Sequence, residues 1–155
     1  MTDELEKRPA RALKEAAFLA LSSDDEVKSL LPDDGHAIVQ KPTTIRDSNI
    51  ADACVRVSLA SDASTPRGTI DQHTHLLQVQ YDTTRSHLKR KGPQWEDHIH
   101  DAVDDVLSRL GGRAFTALGK GGSTSLQWRD DKDRYVGDIT YRYRTADVRE
   151  SIDTD

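Results

Sequence analysis

One stretch constrains the fold more than any other. Trp95, Ile99, Ala102, Val103, Val106, Leu107 and Leu110 fall at i, i+4, i+7, i+8, i+11, i+12 and i+15. That spacing gathers them into one apolar stripe on a helix about 24 Å long at 1.5 Å per residue. Gly92-Pro93 reads as its start and Gly111-Gly112 as its stop. Asp97, Asp101, Asp104 and Asp105 cover its other faces. Such a helix has to lie on an apolar surface, and the rest of the chain must provide it.

The flanking segments predict that surface. Residues 1–8 read as a flexible polar start, after which Pro9 suits a first helical position. Ala10 to Leu21 is a run of strong helix formers with Leu13, Ala16, Ala17, Ala20 and Leu21 at helical spacing. Ser23-Asp24-Asp25-Glu26 has the form of a capping box, with Ser23 as N-cap. A short helix should follow to about Leu31, where Pro32 ends it. The period then changes to two. A short strand is expected around Ile38 and Val39, and Ala53, Val55, Val57 and Leu59 alternate with Cys54, Arg56 and Ser58. Ala60 to Thr69 has no apolar period and reads as a loop. Ile70 to Thr83 reads as a strand with Leu77, Val79 and Tyr81 on one face. Past the long helix, Lys120-Gly121-Gly122-Ser123 reads as a flexible turn. Thr124–Arg129 and Arg134–Thr145 then form a hairpin about Asp130–Asp133. Strands and helices segregate, so the expected class is α+β: a mainly antiparallel sheet with the long amphipathic helix and the N-terminal helical segment on one face.

At 155 residues and 35% hydrophobic content the chain suits one domain, placed at 9–146, with an acidic tail at 147–155. No apolar run approaches the ~20 residues of a membrane-spanning helix, and no secretory leader is expected behind the mixed charges of Met1–Arg8. The lone Cys54 excludes an internal disulfide framework and a Cys-rich zinc site. The net charge is −5, with 21 Asp against 6 Glu and 14 Arg against 8 Lys. Short carboxylates in excess and few lysines resemble the usage of salt-loving organisms. At molar ionic strength there, screening shortens to about 3 Å.

Residues that could carry chemistry are few. His73 and His75 flank Thr74 on one strand face, as a His-x-His metal site would begin. No Glu follows at a suitable spacing, so a solvated strand face is expected, and a small metal-dependent enzyme is the competing reading. His98 and His100 are about 200° apart around a helix and cannot share a metal. Cys54, inside a strand, reads as packed. No Ser occupies a G-x-S-x-G turn, and Gly119–Thr124 lacks the order of a phosphate loop. Basic residues cluster at Arg85, His87, Lys89, Arg90 and Lys91 and could touch nucleic acid phosphates, but without interleaved aromatics in an acidic chain a solvated loop or a contact to an acidic neighbouring subunit is expected. Arg142 and Arg144 alternate with tyrosines on the last strand and could form an interface edge.

Taken in order, these elements resemble the tail-terminator (tail-completion) family of long-tailed viruses. The resemblance rests on the Ala-rich opening helix, the capped segment Ser23–Leu31, the strands Ala53–Leu59 and Ile70–Thr83, the amphipathic helix Trp95–Leu110, and the hairpin of Leu126–Arg129 with Tyr135–Tyr143. It implies a structural virion protein without enzymatic activity or cofactor. The family forms a ring, typically a hexamer of identical copies, in the tail or neck region, assembled in the host cytoplasm. The ring caps the tail tube protein and joins it to the head–tail connector or stopper protein, and DNA slides through its lumen without specific binding. An adaptor or stopper of the connector is the alternative within this class. With the aspartate bias, the expectation extends to a virus of a halophilic archaeon. Head-to-tail ring closure needs two different patches per copy. The interface candidates are Arg85, Lys89, Arg90, Lys91 and Trp95 on one side. On the other they are Arg67 and Lys120 in the expected loops, with Arg142 and Arg144 on the last strand.

Overall fold

The computed structural model describes residues 2–67, 70–110 and 115–146, with side chains over 12–59, 74–110 and 116–144. Helix α1 (Thr2–Ser23) is followed by the short α2 (Asp25–Ser29) and strand β1 (His36–Gln40). The long strands β2 (Ile50–Arg67) and β3 (Ile70–Thr83) come next. Helices α3 (Arg85–Lys91) and α4 (Gln94–Ser108) precede the closing hairpin of β4 (Phe115–Arg129) and β5 (Arg134–Ala146). The strands form one sheet in the order β1-β2-β3-β5-β4. Only β1 and β2 run parallel; every other neighbouring pair is antiparallel. The expected α+β class with a mainly antiparallel sheet is the one observed.

The helical layer covers one sheet face. Leu13, Ala17 and Leu21 of α1 and Val27 of α2 are fully buried, as are Ile99, Val103 and Leu107 of α4. Beneath them lie Val55 and Val57 of β2, Leu77, Val79 and Tyr81 of β3, and Ile139, Tyr141 and Tyr143 of β5. Each such aliphatic side chain is worth about 1.5–3 kcal/mol in removed apolar surface, so the alternation in the strands and the stripe on α4 account for each other. Gly137 is needed within this layer: a Cβ there would sit 2.8 Å from the Tyr81 ring and 2.9 Å from the Thr124 carbonyl oxygen. Tyr81 lies directly opposite Gly137 in the ladder and fills the space a side chain would take.

Four expectations are corrected. Helix α1 begins at Thr2, so Pro9 falls inside it rather than at its first position, and residues 2–8 are helical. The N-cap of α2 is Asp24, whose carboxylate accepts from the Val27 amide at 2.9 Å; Ser23 is still the last residue of α1. The expected loop 60–69 is strand as far as Arg67 and again from Ile70, with a register shift between Leu59 and Ser61. Backbone pairing does not require apolar side chains, and this arm carries no apolar alternation to announce it. Likewise 120–123 is not a turn: β4 runs through it, with irregular register on both sides. The acidic tail 147–155 and the Gly111-Gly112 stop lie outside the described residues.

The opposite sheet face is polar and held by a buried charge cluster that the sequence reading did not find. Asp82, 2% exposed, accepts from Arg56 Nε at 2.6 Å and from Arg134 Nη1 at 2.7 Å. Arg134 also donates to the carbonyls of Ala51 and Asp52 at 2.8 and 3.3 Å. One carboxylate on β3 thus binds β2 to the start of β5. Removing one partner of such a buried group leaves the other charges uncompensated, typically at about 3–5 kcal/mol. Asp82→Ala is therefore expected to lower the unfolding free energy by about that amount in urea titration. Exposed Asp25→Ala, which breaks only a surface pair with Lys28, should leave it nearly unchanged.

Candidate assembly surfaces

The basic stretch is a helix, not a loop. Thr84 caps α3 by accepting from the His87 amide at 3.2 Å, and Gly92, at φ 84°, ends it. Arg85, Lys89, Arg90 and Lys91 are all exposed, with the last three in the final turn, where positive charge favours the helix dipole. Arg85 lies over the Trp128 ring, 4.4 Å from its centroid, and Trp128 meets Tyr135 edge-on at 5.0 Å. Arg90 reaches Asp52 at 3.7 Å. The result is a positive surface mounted on the end of the sheet.

What seats α3 is His87. Its side chain is 1% exposed, its Nδ1 lies 2.8 Å from Thr83 Oγ1, and its ring meets Trp95 edge-on at 5.2 Å. Burial first, then the charges of Arg90 and Lys91, push its pKa below the usual 6.5; Asp52 and Asp34 oppose this more weakly. Trp95 was expected at an interface and is corrected: it is 2% exposed, and its Nε1 donates to the Leu30 carbonyl at 2.8 Å. Position i of an apolar helical stripe belongs to the core, and the stripe already said so.

The second surface is the β4 margin. Every residue from Thr116 to Ser125 is exposed. Lys120 lies 3.8 Å from Asp104 and 3.4 Å from His100 Nε2. Between this strand and the end of α4 is a cavity of about 420 Å³ lined in part by Asp104, Leu107, Leu118, Tyr141 and Tyr143. Tyr141 donates to Asp104 at 3.1 Å, and Tyr143 donates to the Leu107 carbonyl. Burial first, and then Asp104, push both phenols well above their usual pKa, so they remain hydroxyl donors. Arg142 and Arg144 are exposed on the polar sheet face, opposite Leu76 and Thr74 of β3. Arg67 is the last residue of β2, paired with Ile70; its side chain lies outside those described. Apart from Trp95 in the core and Arg67 at the end of β2, the candidates divide between α3 at the sheet end and β4–β5, and are not brought into one patch.

His75 does not lie on a solvated face as expected, being 2% exposed; the side chain of His73 lies outside those described. Among the described residues no three His, Cys, Asp or Glu groups lie close enough to hold a metal. Cys54 is fully buried, and burial, with Asp82 second, pushes its thiol up to about 12. No helix among the described residues is long and apolar enough to cross a membrane.

No protein-family model matches the sequence, and no curated protein matches it. Among solved structures, a chain of the virion of a native gene transfer agent (GTA) particle has a similar fold. It matches with a TM-score of 0.55 at 15% identity, over 86% of this chain and 93% of that one. Two chains this divergent in sequence share the path of the backbone across nearly their whole lengths.

The buried imidazole makes the mount of α3 sensitive to acid. Burial disfavours the charged imidazole of His87 in the folded protein, whereas the unfolded chain titrates near 6.5, so below that pH the unfolded state binds more protons. Stability should fall as the pH drops from 6.5 toward the depressed folded value. A His87→Gln variant should lose less of its melting temperature over the same acid range, measured by circular dichroism.

Proposed function

We propose that this chain is a structural subunit of a virus-like particle, a tail terminator that assembles as a ring, typically of six copies, at the head–tail junction. The observation that carries the reading is the fold likeness, over 86% of this chain, to a chain of a gene transfer agent virion, joined to the order of elements that resembles the terminator family. A connector adaptor or stopper is the nearest alternative, because size and fold alone do not separate neck proteins.

The surfaces support a role performed by contact. Two chemically distinct regions, the basic α3 and the exposed β4 margin, give one copy different faces for different neighbours, as a head-to-tail ring resting on a tube requires. The net charge of −5 also suits a lumen that lets DNA slide, since each phosphate neutralised by the wall would release counterions and add grip. On this reading the partners are further copies, the tail tube protein and the connector. The aspartate-rich composition supports a salt-loving archaeal host for the particle.

Gold labelling of intact particles with an antibody against this chain tests the proposal by negative-stain imaging. Label confined to the junction of head and tail is the expected result. Label on the capsid shell, along the tail tube or at the distal tip would overturn it.

A further inference from the structure

The strand order ends in β1 and β4, and β1 covers β2 only as far as Val57. The Lys41 amide donates to the Val57 carbonyl at 2.8 Å. Parallel pairing alternates, so Ile38 and Gln40 turn their amides and carbonyls away from β2. These groups open onto a groove of about 470 Å³ whose walls include Lys14, Phe18, Ile38, Gln40 and Ile45. We propose that this groove receives the β4 edge of a second copy as an added strand, with Leu118 of that copy entering between Phe18 and Ile45. This rests on the ring reading above and gives it a specific joint.

Three features select a second copy as the occupant. The β4 edge presents the backbone donors and acceptors that the outer side of β1 needs, and strand addition to an open edge is a recurring mode of recognition. Leu118 is 41% exposed, one of the two exposed large apolar side chains among the described residues, and its place on β4 supplies an apolar knob for the part of the groove lined by Phe18, Ile38 and Ile45. The charges are complementary as well. The groove wall carries Lys14, whose ammonium donates to the Lys41 carbonyl at 3.0 Å, and no carboxylate. Lys120 of β4 is paired with Asp104, and α4 beside it exposes Asp97 and Asp101, which have no ion-pair partner among the described residues.

The joint limits itself. Register shifts at Ala117/Gly119, which holds Leu118, at Lys120/Gly122 and at Thr124/Gln127 interrupt β4, and such bulges discourage indiscriminate edge pairing. What remains regular is short, as is the five-residue β1. Because the two edges differ, each copy gives one and accepts one, so the contact is head-to-tail and the sheet runs on from copy to copy.

Light scattering after size-exclusion chromatography at molar salt tests this with Gln40→Pro and Leu118→Asp. Proline at position 40 removes an outward amide and leaves the β1–β2 ladder in place. Both variants should keep the wild-type circular dichroism spectrum and weaken self-association by about tenfold or more. Mixed together, they should form a dimer and nothing larger, since one keeps an intact β4 edge and the other an intact β1 edge. Folded variants that assemble like the wild type would overturn this joint and leave the ring standing. A wild-type chain that stays monomeric at every concentration would overturn the ring and the joint together.

Discussion

The contact of α4 with the sheet organises everything else, and Trp95 is its centre. The indole N–H reaches the Leu30 carbonyl at 2.8 Å, which fixes the end of α2 against α4. The ring edges meet Tyr81 of β3 at 6.5 Å and His87 of α3 at 5.2 Å. One side chain therefore joins both helical segments that flank it, the central strand and the mount of the basic helix. An aromatic in this position combines a large buried area with a directed donor. Without it α3 would lose the ring against which its one fully buried side chain, His87, packs, keeping only the partly buried Leu88 against the core and Arg85 over Trp128.

The two sheet faces solve different problems. On the covered face, apolar alternation and the α4 stripe bury each other, and the phenols of Tyr141 and Tyr143 find acceptors on α4. The polar face has no helical cover. There Arg56, Asp82 and Arg134 cross-link three strands with short charged hydrogen bonds. A buried ion cluster is weak evidence for added stability, since its desolvation is costly, but it is good evidence for a fixed register. Slipping β3 by one residue would move Asp82 to the apolar face.

How much of this was legible follows from what each element is made of. The stripe of α4, the strand β3 with Leu77, Val79 and Tyr81 inward, and the phase of Tyr135 to Tyr143 were readable because burial writes a period into the sequence. The arm of β2 beyond Leu59 and the course of β4 through Gly119–Ser123 were not, because backbone hydrogen bonds hold those segments in the ladder. Helix α3 was missed for a related reason: Arg85–Lys91 has one buried side chain and no stripe. Thr84 with its reach to the His87 amide was the available signal, a cap hidden behind a run of charge. The Asp82 cluster joins residues 26 and 52 positions apart, a distance over which no local pattern operates.

The same separation of forces bears on how copies could hold together. At molar salt the screening length is about 3 Å, and exposed pairs such as Arg109–Asp105 and Lys28–Asp25 contribute little. A joint built on surface charge alone would weaken in that medium. Backbone pairing along an edge and an apolar knob in a groove lose nothing to screening, and apolar burial is strengthened by salts excluded from protein surfaces. In the proposed ring, charge therefore sets the orientation in which edges meet, and the edges themselves supply the adhesion. On that proposal the chain is free to stay acidic overall, which would keep copies soluble before assembly and keep the proposed lumen from gripping a polyanion inside it.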